Sequence, residues 1–331
     1  MKSEINCIKF YEFGAPLHVL RVERKRIASP EPGEVLVRML ARPVNPSDLI
    51  PITGAYSHRI SLPAIPGYEG VGIVEEVGSS VSQDLIGKRV LPLRGEGTWQ
   101  EYVKTSADLA VPIPNSVDDY VAAQLYINPL TVWLTCTEVL RLRPDDCLMV
   151  NAGGSSIGRI FAQLSKIIGF RLIAVTRNHA HTKELLQLGA SYVINTTEEP
   201  LHGTVRELTN GKGVNAAIDS IGGISGTELA FCIQPGGTFL TIGLLSGTPV
   251  NWADITQKAK MNVKMFHLRH WNQQVTIQNW HETFNQLISF IMDGRLKLMM
   301  PANHYDLTEV HKAIRAVQSS ERNKGKIFLT S

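Results

Sequence analysis

The segment CLMVNAGGSSIGRIFAQLSKIIGFRLIAVTRN, from Cys147 to Asn178, is the strongest indication of the fold. It runs from an apolar strand through a glycine-rich turn into a helical pattern, and then into a second apolar strand. The first N–H groups of a helix have no partners within it, so the turn NAGGSSIG is placed to bind a phosphate. Because Ser155 and Ser156 stand where glycines are common, the alternative is a turn that only makes a tight connection.

The second strand of this stretch ends in VTRN, about 20 residues beyond the turn, where an Asp or Glu commonly binds the adenosine ribose of NAD. Here the position holds Arg177, and a guanidinium forms paired, charge-assisted hydrogen bonds to a phosphate. We therefore expect NADPH as the cofactor; the alternative is a solvated surface arginine. The candidate cofactor-binding residues of this stretch are Gly153, Gly154, Ser155, Ser156, Ile157, Gly158, Thr176 and Arg177.

The sequences before and after the turn have different patterns of strand-like and helix-like segments. Residues 1 to about 110 hold short β-rich runs between Gly and Pro, which predicts a compact β-rich domain. From about Val121, helical stretches alternate with apolar runs such as SYVIN and GTFLTIG, which predicts βαβ units on a parallel sheet. The tail carries an amphipathic pattern and then a β-rich end that we expect to rejoin the first domain. The predicted boundaries are 1–121, 122–297 and 298–331.

Composition excludes several classes of function. The 331 residues carry a net charge of only +3 without a run of like charge, so we do not expect nucleic-acid binding. The four cysteines form no CxxC pair, and no segment reaches the length of a membrane span. We expect a cytoplasmic protein whose partner is a small-molecule substrate.

The order of motifs along the chain resembles the medium-chain dehydrogenase/reductase superfamily. The motifs that carry the resemblance are GEVLVRM, VNPSDLIPITGAY, IPGYEGVGIVEEVGSSV, GKRVLP, GTWQEYV, the glycine-rich turn, LGASYVIN, DSIGG, PGGTFLTIG and GKIFL. The resemblance implies an α/β fold: a Rossmann doubly wound parallel sheet plus a GroES-like β-rich domain formed from both chain ends. It also implies a homodimer that forms through an edge of the nucleotide-binding sheet.

The zinc enzymes of this superfamily have a metal-binding Cys where this chain has Asn45 and a His where it has Tyr68. Neither residue is a good zinc ligand, so we expect no metal. Two zinc-free branches share the pattern: the mitochondrial-type 2-enoyl thioester reductases, which the chain resembles more at several points, and the NADPH:quinone oxidoreductases. An NADPH-binding protein without enzymatic activity is a third alternative.

The resemblance also implies roles for individual residues. Tyr56 stands at the family's tyrosine position and is the leading catalytic candidate, as a proton donor or a hydrogen-bond donor to the thioester oxygen; the alternative is a loop tyrosine that packs at the domain junction. Asn45 is the second catalytic candidate, and Trp271 is either a wall of the acyl pocket or a core residue. Further candidate cofactor contacts are Asn128, Thr131, Asn323 and Lys326. Gly243 and Leu268 are also candidates, and we expect them in late strands, where the cofactor would cross the carboxyl edge of the sheet. For Asn45, Asn128 and Thr131, capping of turns is the alternative role.

Overall fold

The computed structural model describes residues 4–319 and 324–331. Its strands are β1 (Glu4–Lys9), β2 (Arg21–Arg26), β3 (Glu34–Pro43), β4 (Val71–Val77), β5 (Arg89–Pro92), β6 (Tyr102–Ser106), β7 (Ala110–Pro112), β8 (Cys147–Val150), β9 (Arg171–Thr176), β10 (Tyr192–Asn195), β11 (Val214–Asp219), β12 (Ile233–Thr241), β13 (Asn262–Met265), β14 (Pro301–Asp306) and β15 (Lys326–Thr330). No helix in the described residues is long and apolar enough to cross a membrane.

The α-helices lie mainly in the middle of the chain. They are α1 (Pro16–Val19), α2 (Pro46–Leu49), α3 (Asp119–Ala122), α4 (Asn128–Leu134), α5 (Ser156–Ile168), α6 (Thr182–Leu188), α7 (Leu201–Leu208), α8 (Gly223–Ala230), α9 (Trp252–Lys258), α10 (Leu268–Gln274), α11 (Ile277–Met292) and α12 (Val310–Gln318). A π-helical turn, Thr135–Val139, continues α4.

The chain forms two compact units. The first comprises residues 1–127, 276–292 and 298–331, and the second comprises residues 128–275 and 293–297. Residues 122–127 and 276–292 lie within the predicted middle segment, 122–297, but they belong to the first unit. Helix α11 belongs to the first unit because Trp280 lies against Tyr126, with ring centroids 6.0 Å apart, and donates its indole N–H to the carbonyl of Leu109.

The second unit contains a six-stranded sheet in the order β10-β9-β8-β11-β12-β13. Every pairing is parallel. All four residues of β8 are buried, as expected for a strand covered on both faces. This order, with the reversal beside β8, is that of a doubly wound Rossmann sheet, so the predicted fold class is confirmed for this unit.

The first unit contains a seven-stranded sheet in which β14-β15-β3-β4-β5-β7 follow one another and β6 pairs with β3. The tail strand β15 is antiparallel to β3, so strands from both ends of the sequence share this sheet. The core beneath it includes Ile52, Trp99 and Leu329, each fully buried. Strands β1 and β2 form a separate antiparallel pair.

Candidate active site

The glycine-rich turn lies between the carboxyl end of β8 and the first residue of α5. Ser155 caps the helix by accepting a hydrogen bond from the N–H of Gly158, at 3.3 Å. The turn is tied to the next strand by the N–H of Gly153, which donates to the carbonyl of Val175 at 2.9 Å. A Cβ at Gly158 would lie only 2.2 Å from the carbonyl oxygen of Gly153, so the helix approaches the turn closely only because this residue has no side chain.

Two amides of this turn have no acceptor among the described residues, those of Gly154 and Ile157. They stand with Ser156 at the positive end of a 13-residue helix, which favours an anion. The structure thus brings all six predicted turn residues together in an arrangement that fits a phosphate group.

Arg177 follows the last residue of β9 and is exposed. No carboxylate in the described part of the chain forms an ion pair with it. Thr176 is buried, and its hydroxyl donates to the carbonyl of Asn178 at 3.0 Å. The side chain of Asn178 accepts from the N–H of Ala180 and begins the short helical turn His179–His181. The guanidinium is therefore available to a ligand at this edge of the sheet.

The ends of β8 and β11, where the strand order reverses, are joined by buried side chains. Asn151 donates to Asp219 at 2.6 Å, and the same carboxylate accepts from the N–H groups of Ile221 and Gly222. Gly243 lies two residues beyond β12, and a Cβ there would be 3.0 Å from the carbonyl oxygen of Ser220. Ligands of open α/β sheets bind at this kind of edge.

The remaining candidates of the second unit lie on helices. Asn128 and Thr131 are half-buried residues of α4, and the carbonyl of Thr131 accepts from Thr135 at 2.8 Å. The prediction that Leu268 lies in a late strand is wrong, because that strand, β13, ends at Met265 and Leu268 begins α10. The side chain of His267 caps this helix by accepting from the N–H of Arg269, which ends the strand before Leu268.

Trp271 is half-buried on the same helix. Its two alternative roles, pocket wall and core residue, therefore both stay predictions. Asn323 lies outside the described residues.

In the first unit, Asn45 lies in a buried network of charged side chains. Lys326 donates its ammonium hydrogen to Asn45 Oδ1, and Asn45 Nδ2 donates to Glu69 Oε1 at 2.7 Å. The other oxygen of Glu69 accepts from the N–H of Ile127 at 2.7 Å. All three side chains are almost completely buried. The cofactor role predicted for Lys326 stays a prediction, since its ammonium has a protein partner here.

A second buried carboxyl group, that of Asp48, adjoins this network. Its two oxygens accept from the N–H groups of Asn45 and Tyr68, at 2.8 and 3.2 Å. Burial above all, together with the nearby charge of Glu69, raises the pKa of Asp48 to about 7. Burial also raises the pKa of Glu69 and lowers that of Lys326. Because two carboxyl groups share one ammonium, Asp48 holds a proton over part of the neutral range.

The residues around Asn45 do not fit a zinc ion. The Oδ1 atom that would face a metal already accepts from an ammonium group, and a second cation beside it would be repelled. Tyr68 is 44% exposed and offers only a phenol. Within residues 4–319 and 324–331, no group of three His, Cys, Asp or Glu side chains is arranged to hold a metal.

Tyr56 lies between two short helical turns, Pro51–Thr53 and Ser57–Arg59. Its half-buried ring lies under the guanidinium of Arg59, whose Cζ is 3.7 Å from the ring centroid. This cation–π contact restricts the orientation of the ring.

A cavity of about 190 Å³ lies in the first unit, next to the segment that carries Asn45 and Tyr56. Its walls are of mixed polarity: Asp48, Tyr68, Arg94, Glu96 and Tyr126 line it together with apolar residues.

Sequence reasoning missed Asp48 and Glu69 as members of the site. Both lie in quoted motifs, VNPSD and GYEG, among apolar, Gly and Pro residues. An acidic residue among apolar, Gly and Pro residues itself indicates a buried polar site, because acidic residues are seldom buried without partners. The partners come from distant parts of the chain and leave no local pattern.

Comparisons with known proteins agree with this architecture. Residues 31–115 match the family described as alcohol dehydrogenase GroES-like domain, and residues 156–292 match the zinc-binding dehydrogenase family. Mitochondrial enoyl-[acyl-carrier-protein] reductase of Xenopus tropicalis is 32% identical to this chain, over 97% of the chain and 94% of the relative.

Two solved structures are similar over nearly the full length. A protein from Bacillus thuringiensis, provisionally named NADPH:quinone reductase, has a TM-score of 0.97 and 63% identity, with 99% of each chain covered. Etr1p in complex with NADP and crotonyl-CoA has a TM-score of 0.85 and 25% identity, with 99% of this chain and 100% of the other covered.

The fold and these similarities define an oxidoreductase with a GroES-like domain and a Rossmann domain. The chain belongs to the medium-chain dehydrogenase/reductase superfamily, as its order of motifs predicts.

The raised pKa of Asp48 makes stability depend on pH. A carboxyl group with a pKa of about 7 in the folded protein and an ordinary value of 3.8 stabilises the fold at low pH, and this contribution is lost as pH rises through 7. Between pH 6 and 8, the free energy of unfolding should fall by about 1 kcal/mol from this group. Asp48→Asn should remove that part of the pH dependence in urea unfolding.

Asp84→Asn is the matched control, because Asp84 is an exposed residue of the same unit. An Asp48→Asn protein that loses stability between pH 6 and 8 as steeply as the wild type would contradict this assignment.

Proposed function

We propose that the protein is an NADPH-dependent reductase that acts on an activated double bond, with a 2-enoyl thioester as its acceptor. The observation that carries the proposal is the exposed Arg177 at the end of β9, on a Rossmann sheet whose glycine-rich turn fits a phosphate. NADPH supplies a hydride when it is bound. The name of one similar protein, an NADPH:quinone reductase, and the NADP in the complex of Etr1p support this cofactor.

Each part of the cofactor has candidate partners in the second unit. The amides of the turn would hold the pyrophosphate, and the guanidinium of Arg177 would pair with the additional phosphate of NADPH. Thr176 would fix the backbone next to Arg177, because its hydroxyl donates to the carbonyl of Asn178. Asn128, Thr131, Gly243 and Leu268 would contact the nicotinamide half, as the family resemblance implies.

The residues around Asn45 do not fit a metal ion that would polarise an alcohol. The acceptor must therefore carry its own activating group, such as a carbonyl group conjugated with the double bond. Hydride addition to the β-carbon of an enoyl thioester leaves negative charge on the thioester oxygen. The Tyr56 hydroxyl is proposed to donate a hydrogen bond or a proton there, and Arg59 holds its ring. The amide of Asn45 is proposed to orient the substrate, and Lys326 and Glu69 fix that amide.

Quinone reduction is the second candidate function. The structure with 63% identity carries that name, whereas the enoyl reductase relative is 32% identical. The resemblance of VNPSDLIPITGAY to the tyrosine-bearing motif favours the enoyl class, as does the similarity to Etr1p, whose complex contains crotonyl-CoA. A quinone ring accepts a hydride without a dedicated proton donor, so the two functions differ in what they require of Tyr56.

We also propose that two copies associate through β13. Among the described residues, this strand pairs only with β12 and ends the parallel sheet. All four of its residues are exposed, and Val263 and Met265 are apolar. An exposed edge strand with apolar side chains is a ready template for pairing with a second copy.

Replacement of Arg177 by Ala should raise the KM for NADPH about tenfold or more, because one charge-assisted hydrogen bond to a phosphate contributes roughly 1.5–3 kcal/mol. The KM for NADH should not change. Steady-state kinetics with both cofactors test this, and Arg171→Ala, at the exposed start of the same strand, is the control. Unaltered NADPH kinetics in Arg177→Ala would refute the assignment.

Replacement of Tyr56 by Phe should lower turnover of crotonyl-CoA by about 10²–10⁴-fold, since a positioned proton donor typically contributes that much. NADPH oxidation is measured with crotonyl-CoA and with an aromatic quinone, in parallel. Tyr11→Phe, at an exposed tyrosine of the same unit, is the control. Full activity of Tyr56→Phe on crotonyl-CoA removes Tyr56 from the mechanism, and a wild-type protein active only on the quinone selects the second function.

Replacement of Met265 by Arg should dissociate the dimer. Strands that pair around a two-fold axis would bring the two introduced guanidinium groups close together, and like charges on paired strands repel. Light scattering coupled to gel filtration measures the mass in solution. Ile224→Arg is the control, since Ile224 is 83% exposed on α8. A dimer that survives Met265→Arg would exclude β13 as the interface.

A further inference from the structure

The histidine at the end of the short helical turn after Arg177 is in direct contact with the glycine-rich turn. A Cβ built on Gly154 would lie 2.3 Å from Cδ2 of His181 and 3.3 Å from its Nε2. The imidazole therefore occupies the space that a side chain at position 154 would take. The absence of a side chain at Gly154 lets the ring lie directly against the backbone of the turn.

A single arginine fixes both the ring and the turn. Arg159, in the first turns of α5, donates from Nε to the carbonyl of Gly154 at 3.2 Å. Its Nη2 lies 3.1 Å from His181 Nδ1, and its Nη1 pairs with Glu184. The side chain of Arg159 is 11% exposed and that of His181 is 22% exposed, so the arrangement is largely shielded from water.

This contact determines which nitrogen of the imidazole carries the hydrogen. A guanidinium has only donors, so Nδ1 of His181 must accept from Arg159. The neutral ring then carries its hydrogen on Nε2. Burial and the adjacent Arg159 lower the pKa of His181, which keeps the ring in this neutral form at neutral pH. Nε2 lies at the edge of the ring that faces Gly154, whose own amide has no acceptor among the described residues.

We propose that His181 is a cofactor-positioning residue that donates its Nε2–H to a phosphate oxygen of the dinucleotide at the glycine-rich turn. It adds a neutral donor to the amides of the turn and to the guanidinium of Arg177. The inference rests on the proposed function, because it assumes that a dinucleotide binds here. The phosphate belongs either to the pyrophosphate or to the adenosine ribose, and both have the same acceptor chemistry.

The test compares the dissociation constants of NADPH and NADH in His181→Phe and in the wild type, from nicotinamide fluorescence without substrate. Phenylalanine keeps a flat ring against Gly154 and removes Nε2–H. Loss of a hydrogen bond to a charged oxygen should weaken binding by roughly tenfold or more. An effect on both cofactors identifies the pyrophosphate as the acceptor, and an effect on NADPH alone identifies the additional phosphate. Unchanged binding of both cofactors overturns the proposal.

Two further variants separate this role from a structural one. His181→Gln restores an amide that can accept from Arg159 and donate to a phosphate, so it should recover most of the affinity. His179→Phe alters the other histidine of the same turn, which pairs with Glu198 at 2.6 Å, and should bind as the wild type does. If His181→Phe lowers the melting temperature of the free protein but NADPH stabilises it as much as it stabilises the wild type, the residue is only structural.

Cofactor binding by the wild-type protein tests the proposed function separately from the variants. A wild-type protein that binds neither cofactor refutes the proposed function and the role of His181 together. A wild-type protein that binds NADPH with an affinity equal to that of His181→Phe refutes only the role of His181.

Discussion

The burial of the Lys326 ammonium group against Asn45 is the interaction on which the first unit depends most. Removing an ammonium from water costs several kcal/mol, and the cost is offset only if hydrogen bonds and an opposite charge surround it. Asn45 accepts from it, and Glu69 supplies the charge through the same amide. Lys326 begins β15, whereas Asn45 directly precedes α2 and Glu69 lies shortly before β4, so one polar network joins the two ends of the sequence within this unit.

The same network determines what chemistry is possible at Asn45. A carbonyl oxygen that already accepts from a cation is a poor ligand for a second one, and the remaining acid groups are bonded to backbone amides. A fixed ammonium group differs from a metal ion, because it has no open coordination position in which an alcohol oxygen can be polarised. The side-chain amide of Asn45 is still held in one orientation by Lys326 and Glu69. The site therefore suits an acceptor whose double bond is already polarised by its own carbonyl group.

The parts of the molecule that could be predicted are those determined by residues close together in sequence. The segment β8–α5–β9 has buried strands, a capping serine and glycines at fixed spacing, and each of these features acts within a few residues. Strand β2 was not foreseen, because RVERKR reads as a charged run, and its pairing with β1 comes from tertiary structure. Leu268 was misplaced because the capping of α10 by His267 outweighs the apolar run that precedes it.

The polar contacts of the site could not be predicted, because the partners are far apart in sequence. Lys326 and Asn45 are 281 positions apart in sequence, and no local rule connects them. His181 and Arg159 are closer, at a separation of 22, but their contact requires both α5 and the turn after β9 to be in place. Residue type and spacing predict an anion-binding turn and a guanidinium near it. The protonation states depend on burial and on partners brought by the fold, as in the raised pKa of Asp48 and the tautomer inferred for His181. Those states determine whether each side chain donates or accepts, and hence which ligand atoms it can bind.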